Sequence, residues 1–477
     1  MATHALAAYG MSIDGRSYET AQVFDVRNPA TGDVFAHAPD ASADDLDLAV
    51  AAATRAFTTW KNVPIADRKA ALVKAARIIE ANASELTALF TREQGRPLAG
   101  ALAEINGAAM WLRATTMLDI PIDVTEDTET RRIEAHHVPL GVVCAIVPWN
   151  FPVLLAIWKI APALMAGNGL VLKPSPYTPL TTLRIGELIR DCFPSGVLNI
   201  ISGGDELGPM MTAHKGFAKI TFTGSSATGR RVMESAAKDL KRITLELGGN
   251  DAAIVMPDVD VDAIAEQIFH GALHNTAQVC VVTKRLFIHA DIYDQLRDRL
   301  HQLAKDTAIG DGLEQGTILG PIQNEIQYRS VLALLDEARA SGLTLLEGGP
   351  VPAQGYFIPL TLVDNPPDDS RIVVEEAFGP VLPLLKFTDV DDVVSRANDT
   401  EYGLAGAVWS GDGAQATAIA HRLDTGTVWI NQNLQSTPFT PLAGAKQSGS
   451  GQENGVPGLL EFARSKSIYI PKPKVAA

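Results

Sequence analysis

Residues 141–173, GVVCAIVPWNFPVLLAIWKIAPALMAGNGLVLK, decide the fold. They open with an apolar, β-rich run at 141–147, which is typical of a strand buried on both faces. A helical stretch follows from Trp158 to Met165, and residues 170–172 form the next apolar strand. This order of strand, turn and helix predicts a doubly wound parallel sheet that binds ligands at the carboxyl ends of its strands.

The same alternation continues to either side of a short glycine-rich break. Residues 180–192 predict a helix, 197–201 and 219–223 predict strands, and 230–237 predict another helix. A second alternation of strands and helices begins at Asp251, so we expect a domain boundary near Gly248 and Gly249. The fold class expected from these patterns is α/β.

The flanking segments have other patterns. Residues 20–36 predict two strands joined by a tight turn, and the alanine-rich stretch 43–118 predicts packed helices without a chemical role. Residues 119–140 alternate apolar with charged side chains and predict exposed strands outside the main sheet, as does 467–471. Because an exposed strand ribbon needs a partner, we expect subunits to pair through it.

Composition excludes several classes of function. With 477 residues the chain is long enough for two or three domains, and a net charge of −15 argues against nucleic acid as a partner. Three cysteines do not make a disulfide framework, which favours a reducing compartment. The first residues lack the pattern of a signal peptide, and no run of about 18 apolar residues predicts a membrane helix. We therefore expect a cytoplasmic protein that makes no membrane contact.

Three separated residues supply the groups needed for covalent catalysis at a carbonyl. Cys280 lies in the stretch 269–287, Glu246 lies in LELGGN, and Asn150 lies in PWNFP after the first buried strand. An isolated cysteine is more often a buried apolar filler, and Glu246 taken alone is better explained as a helix cap or a turn salt bridge. Together they provide a nucleophile, a base and an oxyanion donor.

A glycine-containing turn at 222–229 follows a strand and opens a helix, where backbone N–H groups can hold a pyrophosphate. The spacing is not GxGxxG, so a plain strand-to-helix turn is the more usual interpretation of this segment taken alone. Lys173 also follows a strand and could meet a ribose or a phosphate, although a lysine there is usually just solvated.

The sequence resembles the aldehyde dehydrogenase superfamily over essentially its whole length. The matching segments are 28–32 (NPATG), 148–152 (PWNFP), 173–175 (KPS), 222–225 (FTGS) with Gly229, 246–249 (ELGG), 278–280 (QVC), 375–380 (EEAFGP) and 444–449 (GAKQSG) with Gly451. The resemblance implies that Cys280 forms a thiohemiacetal and then a thioester, and that Asn150 and the Cys280 N–H hold the oxyanion. Glu246 is then the base that activates water, while Lys159 and Glu453 match a proton path to that base.

The resemblance also implies a site for NAD or NADP. Lys173 is expected at the adenosine ribose, Ser225 at a phosphate, Glu376 at the nicotinamide ribose and Phe378 beside it. The expected set of coenzyme contacts is Trp149, Lys173, Ser175, Pro176, Gly204, Gly224, Ser225, Leu247, Glu376 and Phe378. Many NAD-preferring relatives have a glutamate where this chain has Pro176, so both coenzymes are expected to serve, with NAD ahead of NADP.

The substrate and the domains follow from the same resemblance. Apolar residues beside the catalytic positions predict a hydrophobic aldehyde, aliphatic or aromatic; they are Phe151, Leu154, Trp158, Val279 and Val281. Residues 441–444 read PLAG where relatives usually have Pro-Phe-Gly-Gly, and they predict no particular substrate. The expected domains are dinucleotide-binding (1–118 and 140–247), catalytic (248–436), and an oligomerisation ribbon with the C-terminal segment (119–139 and 437–477), assembled as a homodimer or homotetramer.

Two rival functions stay open on the sequence. A CoA-acylating semialdehyde dehydrogenase would release its thioester to CoA and would not need the carboxylate of Glu246. A catalytically silent, cofactor-binding structural protein would not need Cys280, Asn150 and Glu246 together. No cluster of histidine, cysteine and carboxylate residues has ligand spacing, so we expect no metal centre.

Overall fold

The structure is a computed structural model that describes residues 7–473. Residues 1–6, where the absence of a signal peptide was predicted, lie outside the described part, as do residues 474–477 at the end of the expected C-terminal segment. Among the described residues, no helix is both long enough and apolar enough to cross a membrane.

The N-terminal part consists of short strands followed by four helices. Strands β4 and β5 pair antiparallel, as the turn-rich sequence between them predicts. A capping box formed by Ser42 and Asp45 begins the first helix. The elements are β1 (Ala7–Ala8), β2 (Met11–Ile13), β3 (Arg16–Tyr18), β4 (Val23–Arg27), β5 (Val34–Pro39), α1 (Ala43–Trp60), α2 (Ile65–Ala81), α3 (Ala83–Gln94), α4 (Leu98–Thr115), β6 (Ile122–Asp127) and β7 (Arg131–Pro139).

The first large sheet is built from the stretch that decides the fold. Its elements are β8 (Val142–Ile146), α5 (Pro152–Met165), β9 (Gly169–Lys173), α6 (Leu180–Ile189), β10 (Leu198–Ile200), α7 (Leu207–Ala213), β11 (Lys219–Thr223), α8 (Ser226–Ala237) and β12 (Arg242–Glu246). The strands lie in the order β12-β11-β8-β9-β10, all parallel, with β2 and β3 continuing the β10 edge. Helices α1, α7 and α8 pack on this sheet as one layer, and α5 and α6, backed by α2 and α4, form another. The predicted doubly wound α/β fold is confirmed.

The second sheet collects the strands that follow the glycine-rich break. Its elements are β13 (Ala252–Val255), α9 (Val261–Leu273), β14 (Arg285–His289), α10 (Tyr293–Asp306), α11 (Glu325–Ala340), β15 (Leu345–Glu347), β16 (Thr361–Asp364), α12 (Arg371–Val374), β17 (Val381–Phe387), α13 (Val390–Asn398), β18 (Tyr402–Gly403), β19 (Ala405–Trp409), α14 (Gly413–Ala420) and β20 (Thr427–Ile430). The strand order is β15-β16-β17-β14-β13-β19-β20, and every pairing except β15–β16 is parallel.

The C-terminal elements return to the earlier parts of the chain. They are β21 (Ala445–Lys446), β22 (Gly449–Ser450), α15 (Gly455–Leu460) and β23 (Ala463–Pro471). Strand β22 pairs with β12, and β23 pairs with β7 over its whole length to form a three-stranded ribbon with β6. The ribbon is the exposed strand pair that the sequence predicts, with Tyr469 67% exposed.

The first sheet positions the candidate catalytic and binding residues. Because its strands are parallel, their carboxyl ends meet at one edge. Lys173 and Glu246 are the last residues of β9 and β12, and Asn150 follows β8 by a short loop. The buried segment 247–251 then carries the chain from β12 into β13 of the second sheet.

Candidate active site

Cys280 lies in the loop between α9 and β14, and this loop contacts the carboxyl edge of the first sheet. The side-chain amide of Asn150 donates a hydrogen bond of 2.9 Å to the carbonyl of Gln278, two residues before the cysteine. The Glu246 carboxyl group is close enough to raise the pKa of the Cys280 thiol. The structure therefore brings the three predicted catalytic residues together, although Glu246 ends a strand of the first sheet and Cys280 lies in a loop that leads into the second.

The loop that carries the thiol has a strained start. Asn275, Thr276 and Ala277 have φ values of 51°, 57° and 58°, a left-handed conformation that residues other than glycine seldom adopt in succession. Thr276 donates its hydroxyl to the carbonyl of Gly320 at 2.9 Å. This contact to the loop between α10 and α11 helps to hold an unfavourable backbone a few residues before Cys280.

The thiol of Cys280 is surrounded mainly by negative charge. Burial is the main cause that raises its pKa to about 12; Lys284 opposes this rise, and the carboxyl groups of Glu246, Asp251 and Glu376 contribute to it. The Lys284 ammonium donates to the carbonyl oxygen of Cys280 at 2.5 Å and lies 3.3 Å from the Glu376 carboxylate. Lys284 is thus the cation that offsets the carboxyl groups around the nucleophile.

Asn150 is anchored by Arg96, a buried residue between α3 and α4. The Arg96 guanidinium donates to the carbonyl oxygen of Asn150 at 2.6 Å and to the side-chain oxygen of Asn275 at 3.1 Å. Its third contact is an ion pair of 2.7 Å with Glu104, whose other oxygen accepts from the N–H groups of Val153 and Leu154. One side chain therefore holds the amide donor, the loop of the nucleophile and the start of α5.

Glu246 is a buried carboxyl group beside a second buried ion pair. Burial raises the pKa of Glu246 well above its usual value, repulsion from Glu453 raises it further, and Lys159 opposes both. Lys159 and Glu453 are 2.7 Å apart and almost inaccessible to solvent, although 294 residues separate them in the chain. The hydroxyl of Thr221 donates to the same Glu453 oxygen at 3.3 Å.

The adenosine side of the expected coenzyme site lies around Lys173. Burial lowers the pKa of Lys173 to about 8, while Asp205 and Asp40 raise it. Its ammonium donates to the neighbouring carbonyl of Pro174 at 3.4 Å, a weak contact for a buried cation. Gly204 donates its N–H to Asp40 at 3.0 Å, Ser175 is buried, and Pro176 is partly exposed beside them.

The turn before α8 leaves its N-terminus accessible. Ser225 caps this helix by accepting from the N–H of Thr228. A Cβ atom on Gly224 would lie 2.5 Å from the Phe222 ring, and one on Gly229 would lie 2.5 Å from Leu247, so a larger residue at either position would have to displace a neighbouring side chain. A free helix N-terminus and a buried lysine fit the phosphates and ribose of a dinucleotide.

Glu376 and Phe378 lie on the other side of the expected coenzyme site. The Glu376 carboxylate accepts from the N–H of Gly249 at 3.2 Å, and burial raises its pKa against the opposing effect of Lys284. Phe378 has a left-handed φ of 47°, and its ring meets Trp149 edge to face with centroids 5.4 Å apart. These residues suit the ribose and ring of a nicotinamide, so the chain offers a partner for each end of the coenzyme.

The residues predicted to contact substrate divide into two groups. Phe151, Leu154 and Val281 are partly exposed, whereas Val279 and Trp158 are buried. Trp158 stacks on Trp111, with ring centroids 5.6 Å apart, and Phe151 lies over the Arg96 guanidinium at 4.1 Å.

Comparison with known proteins identifies the family. The sequence model of the aldehyde dehydrogenase family matches residues 16–468. The chain belongs to the aldehyde dehydrogenase family.

Similar proteins cover nearly all of this aldehyde dehydrogenase. It is 43% identical to a probable aldehyde dehydrogenase of Pseudomonas sp., covering 97% of this chain and 95% of that one. It is 37% identical to phenylacetaldehyde dehydrogenase of Pseudomonas fluorescens, covering 98% and 96%. The solved NAD⁺ complex of an aldehyde dehydrogenase from Bacillus cereus has a TM-score of 0.95 at 33% identity, covering 98% and 97%.

Several residues of this aldehyde dehydrogenase site were missed in the sequence. Arg96 and Glu104 lie in the helical stretch 43–118 that was interpreted as packing alone, and Lys284 was given no role. The available signal was the position of Lys284, four residues after the nucleophile.

Replacing Lys284 with methionine is predicted to make the Cys280 thiol less reactive. Loss of the cation leaves the three carboxyl groups unopposed, so the thiol pKa rises and the alkylation profile moves to higher pH. We expect the rate of alkylation by iodoacetamide at pH 8 to fall roughly tenfold, the change that one pKa unit produces.

Two further variants test the sign of this effect. Lys284→Arg keeps the charge and should stay near the wild-type profile, whereas Glu376→Gln removes a carboxylate and should move the profile to lower pH. A Cys280→Ser protein gives the background from Cys144 and Cys192. Equal profiles for Lys284→Met and the wild type would show that this cation does not act on the thiol.

Proposed function

We propose that this protein oxidises a hydrophobic aldehyde to the carboxylic acid through a covalent thioester on Cys280, with NAD or NADP. The observation that carries the proposal is the arrangement around the thiol. A buried carboxyl group with a raised pKa, Glu246, acts on Cys280, and the amide of Asn150 is held two residues away from it. Nucleophile, base and oxyanion donor are the set that acyl transfer requires.

The first half of the reaction uses Cys280 and Asn150. The Cys280 sulfur, as thiolate, adds to the aldehyde carbon and forms a thiohemiacetal. The Asn150 amide and the Cys280 N–H stabilise the negative charge that develops on the carbonyl oxygen. When bound, the nicotinamide coenzyme supplies the hydride acceptor for the aldehyde carbon. The acyl group left on sulfur is a thioester.

The second half of the reaction uses Glu246. The carboxylate takes a proton from water as the water oxygen attacks the thioester, and the sulfur leaves as thiolate. A carboxyl group with its usual pKa would be a weak base, so the rise caused by burial brings Glu246 closer to neutral pH. Glu453, held in place by its ion pair with Lys159, then receives the proton from Glu246.

Coenzyme binding is proposed for the residues around Lys173, α8 and Glu376. Lys173 contacts the adenosine ribose, Ser225 and the α8 N-terminus hold a phosphate, and Glu376 holds the nicotinamide ribose. NAD is favoured over NADP because Asp40 and Asp205 lie close enough to Lys173 to raise its pKa. The same carboxylates would repel the extra phosphate of NADP.

A hydrophobic aldehyde fits the side chains near the thiol. Phe151, Leu154 and Val281 are apolar and partly exposed, and Phe151 packs against both main cores. Support comes from a relative named phenylacetaldehyde dehydrogenase, whose named substrate is an aromatic aldehyde.

We further propose that the three-stranded ribbon joins subunits into a homodimer or homotetramer. It exposes Ile122, Val124 and Tyr469, apolar side chains that a neighbouring subunit would cover. In this arrangement the ribbon is separate from a coenzyme domain on the first sheet and a catalytic domain on the second.

Rapid mixing of enzyme, coenzyme and benzaldehyde is predicted to give a burst of NADH followed by slower turnover. Glu246→Gln should keep the burst and slow the release of benzoate by roughly 10²-fold or more, the usual contribution of a general base. Cys280→Ser should abolish both phases. Absorbance at 340 nm and chromatography of the acid measure the two steps.

The same experiment separates the rival functions. Acid formed without added CoA excludes an acyl-CoA product, and activity lost in Cys280→Ser excludes a silent binding protein. If release of the acyl group requires CoA and its rate is unchanged in Glu246→Gln, the assignment as a hydrolytic aldehyde dehydrogenase is contradicted.

Coenzyme preference is predicted to depend on Asp205. We expect kcat/KM to be roughly tenfold higher with NAD than with NADP, equivalent to about 1.4 kcal/mol of discrimination. Asp205→Ala should narrow this ratio because it removes a negative charge near the 2′-phosphate.

The neighbouring Glu206→Ala is the matched control, since Glu206 is the next carboxylate in the chain and does not influence the pKa of Lys173. A wild-type preference for NADP would reverse the assignment.

A panel of aldehydes tests the substrate class. We expect benzaldehyde, phenylacetaldehyde and hexanal to have higher kcat/KM than succinic semialdehyde, since desolvating a carboxylate in an apolar site costs several kcal/mol. Superior turnover of the charged semialdehyde would contradict the apolar site.

A further inference from the structure

Strands β11 and β12, neighbours at one side of the first sheet, carry an unusual pattern for parallel strands with buried residues. Strands buried on both faces are normally apolar throughout. In β11 the residues Lys219, Thr221 and Thr223 alternate with apolar ones, and in β12 the residues Arg242, Thr244 and Glu246 do the same. Successive side chains of a strand point to opposite faces, so each strand presents its polar residues on one face.

The register joins these residues into a polar stripe. Thr221 lies opposite Thr244, and Thr223 lies opposite Glu246. The stripe therefore runs along the sheet from Glu246 at the carboxyl edge to Lys219 at the other end of β11. With a rise of about 3.3 Å per residue, four residues of strand correspond to roughly 13 Å.

The far end of the stripe is a directed chain of hydrogen bonds. The Lys219 ammonium donates to the Thr244 hydroxyl at 2.6 Å, and that hydroxyl donates to the Glu461 carboxylate at 3.3 Å. Lys219 and Glu461 are 3.6 Å apart, and the Lys219 side chain is fully buried while that of Glu461 is 27% exposed. This series of hydrogen bonds therefore begins inside the protein at Lys219 and ends at its surface at Glu461.

The near end of the stripe meets the ion pair beside Glu246. Glu453 takes hydrogen bonds from Lys159 and from Thr221, which belongs to the stripe. Within the described chain, Oε1 of Glu246 and Oε2 of Glu453 are buried without a hydrogen-bond partner. Each of these carboxyl groups therefore has an oxygen left to accept a proton.

Lys219 can change its charge near neutral pH. Burial lowers its pKa to about 8, Glu461 and Glu453 raise it, and Lys159 lowers it. Glu453 and Glu461 thus act on the same lysine from the two ends of the stripe. The remaining charged group of this face, Arg242, is exposed and donates to the carbonyl of Ala463.

We propose that Lys219, Thr244 and Glu461 form the outer part of a proton exit that carries the proton of Glu246 to solvent. The proposal rests on the proposed role of Glu246 as the base. It assigns a function to a buried lysine and a surface glutamate that take no part in binding substrate or coenzyme.

The proton balance requires such an exit. Each turnover converts aldehyde, oxidised coenzyme and water into carboxylate, reduced coenzyme and two protons. One proton leaves with the acid product, and the other remains on Glu246. Glu453 takes it from Glu246 and passes it to neutral Lys219. The Lys219 ammonium then protonates the Thr244 oxygen as Thr244 gives its own proton to Glu461, which releases it to water.

The test uses Glu461→Gln and Thr244→Val, which keep the shape of each side chain but stop proton transfer. We expect both variants to show the wild-type burst of NADH. Steady-state release of acid in weak buffer should slow roughly five- to tenfold, because Glu246 must lose its proton before it can serve the next turnover; this is less than the 10²- to 10⁴-fold contribution of a complete general-base step. Imidazole, a mobile proton acceptor, should restore the rate.

Lys219→Met should behave in the same way, with Lys241→Met as its matched control. Lys241 is also buried and donates to the carbonyl of Thr212, outside the polar stripe. Its replacement should leave acid release and its dependence on imidazole unchanged. If Lys219→Met does not fold, the two shape-conserving variants decide the matter.

Two results would overturn the exit. One is acid release in Glu461→Gln and Thr244→Val that equals the wild type in weak buffer. The other is an equal loss of burst and acid release that imidazole does not restore, which indicates a structural defect. If acid release is slow in Glu246→Gln but normal in Glu461→Gln and Thr244→Val, the proposed proton exit is wrong and the role of Glu246 as the base still holds. Normal acid release in Glu246→Gln would contradict both the role of Glu246 as the base and the proton exit.

Discussion

The arrangement of the site depends on the buried guanidinium of Arg96. Its contacts to Asn150, Asn275 and Glu104 use nitrogen atoms in three directions, which a lysine could not reproduce. Glu104 in turn satisfies the N–H groups at the start of α5. Removing one member of such a buried pair leaves the other charge uncompensated, at a cost of about 3–5 kcal/mol. The two halves of the proposed oxyanion site are thus built on one ion pair.

Burial has opposite consequences for the proposed base and the proposed nucleophile. Withdrawing Glu246 from water raises its pKa and makes it a stronger base, which hydrolysis of a thioester requires. The same withdrawal raises the pKa of the Cys280 thiol and reduces the fraction present as thiolate. Lys284 acts on this second effect, because it lies next to Cys280 in the loop. The local charges therefore act differently on the two groups, although burial raises the pKa of both.

Much of the architecture was predictable from periodicity. The strands of the first sheet follow the apolar runs between 141 and 247, and the predicted ribbon strands are found in β6, β7 and β23. Helix α5 begins at Pro152, earlier than the helical stretch predicted from Trp158, since proline is favourable in the first turn of a helix. Local patterns determine such elements, and their class could be assigned without knowledge of the contacts.

The polar contacts of the site could not be predicted from local patterns in the same way. Lys159 and Glu453 are far apart in the chain, and a resemblance to relatives, not spacing, suggested that they act together. Arg96 was hidden in a stretch of good helix formers because its partners come from two other segments. The pairing of long-range charges depends on tertiary structure, which periodicity does not encode.

The alternation in β11 and β12 is the exception, since a local pattern there carries chemical information. A lysine and three threonines in two buried strands lose solvation, so their retention needs a benefit that apolar side chains would not provide. Structural need alone does not explain it, because replacing buried ion pairs by apolar residues is often neutral or stabilising. An interior base that gains a proton in each turnover does explain it. The stripe begins at that base and reaches a partly exposed carboxylate, so the polarity of the strands follows from the site that they support.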